Sequence, residues 1–302
     1  MNDVVILQSG PATARLVPAA GGRVSMLQLA PDGGGAAVDV LHPYPEDFFD
    51  PLRWAKGGIY PLMPYSNRIA GGRLQVGGDV VTLAPHPDVA PHTLHGNAHA
   101  LPWQLESQGV DHAVMVLQAP AGPAWRWAYR GRMELRLTAS TLSVALSMRN
   151  DADSLMPAGL GLHPYFRHIP AGEVAYRVST VWPSNADFIA ESSRPATAQD
   201  IHMPARPLRA GGLTDYLGSW DGHATVVLPE GAQLDIQADP LFSHLVVHRP
   251  DNLAYLCLEP VSHVADGFNL AARGVTDTGT RWLAPGESLR GGMVFSLRKA
   301  AP

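Results

Sequence analysis

Two titratable residues, His163 and Glu259, each end an apolar run and are each followed by proline. The runs are 159–166 (GLGLHPYF) and 254–260 (AYLCLEP). Proline disfavours the α region for the residue before it, so both side chains should lie on strands or at strand ends. Such stiff positions suit groups that must be held in place for chemistry.

An imidazole and a carboxyl group can give and take protons near neutral pH. The apolar neighbours 256–258 (LCL) predict a raised pKa for Glu259, and a nearby carboxylate would help to keep His163 protonated. The alternative is structural: Glu259 caps a strand and His163 is a hydrogen-bonded core histidine. Isolated buried ionisable residues are more often structural than catalytic, so the pattern alone leaves both interpretations open.

The elements that would position this pair are strands. Period-2 alternation is clearest in 133–148 (MELRLTASTLSVALSM), which predicts a hairpin. A second hairpin is predicted in 74–84 (LQVGGDVVTLA), with Gly77 and Gly78 at its turn. Helical periodicity is weak, and its best stretch, 185–198, is interrupted by Pro195. These patterns predict an all-β fold, a large antiparallel β-sandwich with few short helices.

Length and composition fit a globular protein with a large core. The chain has 302 residues, of which 46% are hydrophobic and 16% charged. Segments 31–35, 85–91 and 204–212 are rich in proline and glycine, yet strands of the same kind lie on both sides of each. We therefore predict a single domain over 1–302.

Charge and cysteine content exclude several classes of function. The formal net charge is −5 and no stretch gathers lysine and arginine, which argues against nucleic acid as a partner. Cys257 is the only cysteine, so no internal disulfide forms and a reducing compartment is favoured. Neither a signal-peptide pattern nor a run of eighteen apolar residues occurs, which predicts a cytoplasmic protein with no membrane partner.

A histidine cluster raises the question of a metal. His92, His95 and His99 are close in sequence and could bind zinc. Gly96 and Asn97 argue against a helical ligand pair, and no acidic third ligand lies nearby. The glycines at 33–35 lack the spacing of a phosphate or dinucleotide loop. The sequence thus predicts neither a metal nor a cofactor.

Four segments, in order along the chain, resemble the aldose 1-epimerase family, the galactose mutarotases. Residues 61–74 (PLMPYSNRIAGGRL) are similar to its Asn-Arg-Ile segment and 92–103 (HTLHGNAHALPW) to its Leu-His-Gly segment. Residues 162–166 (LHPYF) resemble its His-x-Tyr-Phe segment, and 258–269 (LEPVSHVADGFN) its Glu-Pro segment. A weaker likeness covers 213–220 (LTDYLGSW). The resemblance implies a large antiparallel β-sandwich with a saddle-shaped sugar cleft.

The same resemblance implies roles for individual residues. Glu259 would be the general base and His163 the general acid of a reaction that interconverts the α and β anomers of a free aldose. The ring would open to the aldehyde and reclose, with no cofactor. Four residues would bind the sugar: Asn67, Arg68, His95 and Asp215. Their alternative roles are, in that order, a turn residue, a surface ion-pair partner, a core histidine and a turn cap.

Departures from the family pattern bear on the sugar more than on the reaction. Asn97 follows Leu-His-Gly where many members have a second glycine, Pro164 lies inside the His-Tyr-Phe segment, and 262–263 is Ser-His. These features resemble a bacterial subgroup with no defined sugar preference. Oligomeric state is left open between monomer and homodimer.

Two other functions fit the same residues. One is a hexose-phosphate mutarotase, which basic residues in the cleft would favour, and Arg23, Arg53 and Arg73 are available for that role. The other is a carbohydrate-binding protein that kept the fold without the chemistry. The presence of both His163 and Glu259 favours an enzyme.

Overall fold

In a computed structural model that describes residues 3–167 and 172–299, the regular secondary structure is almost entirely strands, joined by many loops. The strands up to residue 119 are β1 (Val5–Ser9), β2 (Ala12–Val17), β3 (Arg23–Leu29), β4 (Val38–Asp39), β5 (Ile59–Leu62), β6 (Arg73–Val76), β7 (Asp79–Thr82), β8 (Gln104–Gln108) and β9 (His112–Ala119). The next are β10 (Tyr129–Leu137), β11 (Thr141–Asn150), β12 (Met156–Ala158), β13 (Gly161–Pro164), β14 (Glu173–Tyr176), β15 (Thr180–Val181), β16 (Arg194–Pro195) and β17 (His202–Pro207). The last are β18 (Leu213–Gly218), β19 (His223–Val227), β20 (Gln233–Ala238), β21 (His244–Arg249), β22 (Cys257–Val261), β23 (Arg281–Leu283) and β24 (Ser288–Arg298).

These strands form two large sheets. Ten strands of the eleven-stranded first sheet follow the order β1-β2-β3-β5-β13-β22-β21-β18-β15-β16, and β4 pairs with β3. The nine-stranded second sheet has the order β17-β14-β19-β20-β24-β11-β10-β9-β8. Two small sheets pair β12 with β23 and β6 with β7. Neighbouring strands run antiparallel, for example β13 beside β5 and β21 beside β22.

Helices are few and short, as predicted. One α-helix, α1 (Gly267–Ala272), occurs within the described ranges, with 3-10 turns at Pro18–Ala20, Ala70–Gly72 and Ala98–Ala100. No helical pattern in the sequence marks α1, and the stretch 185–198 contains no helix. No helix in the described part of the chain is long and apolar enough to cross a membrane.

Both predicted hairpins are present. β10 pairs with β11, where Leu135 faces Val144 in the main core. β6 pairs with β7 through Gly77 and Gly78, which have φ values of 59° and 95°. Glycine takes such positive φ angles without the steric cost that a Cβ would add. The predicted all-β antiparallel sandwich is therefore confirmed.

The main core lies between the two large sheets. Leu162 on β13 and Leu258 on β22 belong to the same buried cluster as Leu135 on β10 and Phe295 on β24. The Phe166 and Phe295 rings meet across this layer, with centroids 6.1 Å apart. A second cluster, which includes Tyr60 and Tyr216, packs on the opposite face of the first sheet. The middle of the first sheet is thus buried on both faces.

Gly96 gives a test of how tightly the loops pack on the first sheet. Its φ is 65°, and a Cβ there would lie 2.1 Å from the carbonyl oxygen of Met63. We expect Gly96→Ala to lower the free energy of unfolding by more than about 2 kcal/mol, because left-handed strain and a backbone clash add. Chemical denaturation followed by circular dichroism measures the loss.

Gly77→Ala is the matched control. Gly77 has a φ of 59°, but nothing lies within 4 Å of the added Cβ. This variant should lose only the conformational part, roughly 1–2 kcal/mol. Equal losses of unfolding free energy in the two variants would show that the clash with the Met63 carbonyl adds nothing to the cost of Gly96→Ala.

Candidate active site

Five side chains form one row across the middle of the first sheet, on the face opposite the main core. Tyr60 on β5 is opposite His163 on β13, Glu259 on β22 is opposite Val246 on β21, and Val246 is opposite Tyr216 on β18. Antiparallel partners directly opposite each other project their side chains to the same face. We call these five residues the central row.

His163 and Glu259 are the ionisable members of the central row. Gly161 pairs with Val261, so a step of two residues along each strand brings His163 opposite Glu259. The His163 Nε2 atom lies 3.4 Å from the Glu259 Oε1 atom, and the two side chains are only 6% and 3% exposed. Two proton-transfer groups therefore lie within reach of one small molecule.

A cavity of about 220 Å³ lies over the central row. Thr214 and His248 on strands and Tyr165 just after β13 extend its floor, and residues from the loops form its walls: Trp54, Lys56, Asn67, Arg68, Leu94, His95, Phe188 and Tyr255. Sites for drug-sized ligands usually measure about 300–1,000 Å³. The cavity therefore suits a small ligand with one ring.

Asn67 and His95 hold each other in place at the cavity wall. The Asn67 N–H donates to His95 Nδ1 over 3.0 Å, and the His95 N–H donates to the Asn67 carbonyl over 2.8 Å. Because Nδ1 accepts, the neutral His95 ring carries its proton on Nε2. Burial lowers the pKa of His95 well below its ordinary value, so the ring is a neutral donor. Asn67 Oδ1 also accepts from the Tyr216 hydroxyl over 3.0 Å.

The loop that carries Asn67 and Arg68 is fixed by the segment that follows β22. The Asp266 N–H donates to the Arg68 carbonyl over 2.8 Å, and Asp266 Oδ1 accepts from the Ala70 N–H over 3.0 Å. Asn269 Nδ2 donates to the same Asp266 oxygen over 2.7 Å. The two contacts from Asp266 to Arg68 and Ala70 join residues about 200 positions apart in sequence and set where the Arg68 side chain begins.

Burial controls the protonation of the central pair. It raises the pKa of Glu259 well above its ordinary value. It also lowers the pKa of His163 well below its ordinary value, with smaller contributions from His248, Lys56, His99 and Arg23. The expectation that a neighbouring carboxylate keeps His163 protonated is therefore wrong, because desolvation of the imidazolium outweighs the attraction.

Aromatic rings lie against His163. The Tyr165 ring stacks on it with centroids 4.6 Å apart and planes 8° apart, and the Tyr60 centroid is 4.8 Å away. The guanidinium of Arg23 lies behind Tyr60, 4.5 Å from that ring centroid, and is fully buried. Arg23 therefore adds positive charge beneath the cavity without lining it.

The described residues contain one cluster with metal-ligand chemistry, and it is not the histidine cluster considered and set aside from the sequence. Ligand atoms of His163, Cys257 and Glu259 all lie within 4.8 Å of one another. His92, His95 and His99 form no such group in the ranges that the structure covers. His92 Nδ1 instead accepts from the Gly71 N–H over 3.0 Å.

The motifs 61–74, 92–103, 162–166 and 258–269 indicate a known family, and a match to a family model confirms it. The family model described as Aldose 1-epimerase matches residues 4–296. The chain belongs to the aldose 1-epimerase family. Membership supports an isomerase of the mutarotase type, with a sugar as its substrate.

Similar proteins extend this relationship without assigning a sugar. The uncharacterized protein YphB of Escherichia coli (strain K12) is 29% identical over 239 residues, which cover 76% of this chain and 80% of YphB. A structure from Escherichia coli K12, solved as that of a candidate aldose 1-epimerase, has a TM-score of 0.85 at 24% identity and covers 99% of this chain and 100% of its own. A galactose mutarotase-like protein from Clostridium acetobutylicum has a TM-score of 0.83 at 17% identity, with 99% and 96% covered. These structures share the galactose mutarotase-like fold.

Five of the six residues that the aldose 1-epimerase resemblance implied lie together at the cavity: Asn67, Arg68, His95, His163 and Glu259. Asp215 does not. On β18 it alternates with Thr214 and Tyr216, which face the cavity, and it pairs instead with Arg209 at 2.5 and 2.9 Å. The placement of Asp215 in the cleft is therefore wrong, because successive strand residues point to opposite faces.

Other cavity residues were not predicted from the sequence. Thr214 Oγ1 lies 2.9 Å from His248 Nδ1, and both side chains line the floor where an aspartate was expected. Lys56 lies at the rim, with its Nζ 4.2 Å from the Trp54 ring centroid. Tyr165, two residues after His163, also lines the cavity. No sequence pattern marks Lys56 as a cavity residue. His248 lies in a short apolar strand, as His163 does, so the pattern that marked His163 could also have marked His248.

The buried His263, which contacts the loop at the cavity wall, makes the free energy of unfolding depend on pH. Its Nε2 accepts from the Ser66 N–H over 3.2 Å and its Nδ1–H donates to the Val264 carbonyl over 2.8 Å. Burial lowers its pKa to about 4, against about 6.5 when unfolded. Between these values only the unfolded chain binds the proton, so stability falls as pH decreases from 6.5 to 4, by about 3 kcal/mol. Urea denaturation across this range should show a shallower decrease for His263→Gln.

His223→Gln provides the control for this slope. His223 is exposed on β19, so its replacement should leave the pH dependence of unfolding unchanged. If His263→Gln keeps the full slope of the parent protein, the buried His263 ring is not the source of the acid sensitivity.

Proposed function

We propose that this protein is an aldose 1-epimerase that interconverts the α and β anomers of a sugar, with His163 and Glu259 as the proton-transfer pair. The observation that carries the proposal is their cross-strand placement on the cavity floor, 3.4 Å apart. The anomeric hydroxyl and the ring oxygen of a pyranose are bonded to the same carbon. Two adjacent groups can therefore serve both oxygens at once.

In the proposed reaction, Glu259 removes the proton of the anomeric hydroxyl while His163 protonates the ring oxygen, and the C1–O5 bond breaks. Rotation about C1–C2 presents the other face of the aldehyde. Reclosure with both transfers reversed gives the other anomer. His95, held as a neutral Nε2–H donor by Asn67, would hydrogen-bond close to the ring oxygen, and Arg68 would bind hydroxyls.

The buried pair needs only one internal proton movement to reach the working form. The form that burial favours, a neutral carboxyl beside a neutral imidazole, has the same number of protons as ionised Glu259 beside protonated His163. Transfer of one proton across the pair converts the first form into the second. Sugar hydroxyls in the cavity would stabilise the charges that result.

Replacement of the base tests the mechanism. Glu259→Gln should lower kcat/KM for mutarotation by about 10²–10⁴, because the amide cannot accept the proton. Polarimetry with freshly dissolved α anomers of several aldoses measures the rate. Asp215→Asn is the matched control: it makes the same change of carboxylate to amide on β18, outside the cavity, and should stay within about twofold of the parent.

Two results would oppose the proposal. Near-full activity in Glu259→Gln would remove Glu259 as the base. Binding of sugars by the parent protein without any acceleration of mutarotation would favour a carbohydrate-binding protein on this fold.

A sugar with an anionic group is the second candidate substrate, and the charges of the cavity favour it. Lys56 and Arg68 line the wall, and Glu259 is the only carboxyl group among the residues that line this cavity. Of the arginines considered from sequence, Arg23 is buried behind Tyr60 and Arg53 pairs with Asp88 at 3.5 Å. A phosphate or carboxylate on the sugar would complement the two cavity cations.

The two lysines of the chain allow a paired test. Lys56→Met should lower kcat/KM about tenfold for a hexose 6-phosphate or a hexuronic acid and leave neutral aldoses nearly unchanged, because one charge contact is lost. Lys299→Met removes the other lysine, which is exposed beyond β24, and should change neither rate. Equal rates for anionic and neutral sugars in the parent protein would show that Lys56 and Arg68 do not select for an anionic sugar.

A further inference from the structure

Cys257 lies beside the proposed proton-transfer pair, on the same face of the first sheet. It precedes Glu259 by two residues on β22, so both side chains project to the same face of the first sheet. Its pairing with His248 on β21 places it in the strand row next to the central row. The side chain is fully buried and does not line the cavity. The mechanism above gives it no task.

The three groups have the spacing of a metal site. Ligand atoms of His163, Cys257 and Glu259 lie within 4.8 Å of one another, and His163 Nε2 is 3.4 Å from Glu259 Oε1. Zinc bonds of about 2.0–2.3 Å in tetrahedral geometry put neighbouring ligand atoms roughly 3.3–3.6 Å apart. The imidazole–carboxylate distance already has this length, and only a small movement of the thiol is needed.

Two of the three side chains also have unused hydrogen-bonding capacity. Glu259 Oε2 and His163 Nδ1 are buried and make no hydrogen bond in the described part of the chain. Buried polar atoms without partners are uncommon and call for a ligand or another explanation. The cavity lies over His163 and Glu259, so a fourth coordination position is open to water.

We propose that a thiophilic divalent cation, with Zn²⁺ as the type case, binds between His163, Cys257 and Glu259 and inhibits the enzyme. On binding, the metal displaces the protons of the Cys257 thiol and the Glu259 carboxyl to solvent, and the resulting thiolate makes the site selective for zinc, cadmium or cobalt over magnesium and calcium. Inhibition follows because the metal takes the imidazole lone pair and the carboxylate oxygen that proton transfer requires. The inhibition rests on the proposed function, whereas the binding does not.

Cobalt(II) provides a readout that does not depend on catalysis. One equivalent added to the purified protein should produce a thiolate-to-cobalt charge-transfer band together with the d–d bands of a four-coordinate ion. Cys257 is the only cysteine in the chain, so this band can come from no other residue. Zn²⁺ should displace the cobalt and abolish the band, and Mg²⁺ should not.

The inhibition is tested with Cys257→Ser. Because Cys257 does not line the cavity, this variant should keep the mutarotation rate. Inhibition by Zn²⁺ should weaken more than about 100-fold. This loss would exceed the roughly 10–100-fold that follows from removing a residue that only supports a metal ligand. Absence of the cobalt band in the parent protein overturns the proposal, whatever the activity. Equal Zn²⁺ inhibition of the parent and Cys257→Ser also overturns it, since the metal would then act elsewhere.

The two proposals fail in different ways. A protein that shows the cobalt band but accelerates no mutarotation keeps the metal site and loses the proposed function. A protein that is active and insensitive to Zn²⁺, with no cobalt band, keeps the function and loses the metal site.

Discussion

The pairing register of β13 with β22 is the constraint on which the site depends. It sets His163 opposite Glu259, and the next pairings complete the central row with Tyr60, Val246 and Tyr216. A slip of one residue in β22 would turn Glu259 into the main core and bring Leu258 to the cavity. The backbone ladder of a sheet thus does the positioning that catalytic groups need, and burial on both faces keeps that ladder in one register.

A second constraint is the contact between the first and the last of the four motif segments, 61–74 and 258–269. The segment after β22 holds the Asn67–Arg68 loop through Asp266, Asn269 and His263. These residues belong to the Glu-Pro segment by sequence, yet their hydrogen bonds hold the loop that follows β5. The motif therefore combines one residue for chemistry with several that place another motif's side chains.

Sequence patterns predicted the fold class, both hairpins and the strand positions of His163 and Glu259, because these depend on local alternation and on proline. The register between strands is non-local, and so Asp215 was assigned to the wrong face of β18. Lys56 lies in a loop, where no periodicity indicates direction. The predictions of a single domain over 1–302, of cytoplasmic location and of the catalytic roles stay predictions.

The cavity is made from two kinds of backbone. The groups proposed for proton transfer lie on strands in the middle of a sheet, whereas Lys56, Arg68 and Phe188, which face the rest of a bound molecule, lie on connecting segments. Loops accept substitutions and insertions far more readily than a doubly buried sheet does. Substitutions in these connecting segments would therefore change the ligand contacts of the cavity without moving the pair proposed for proton transfer.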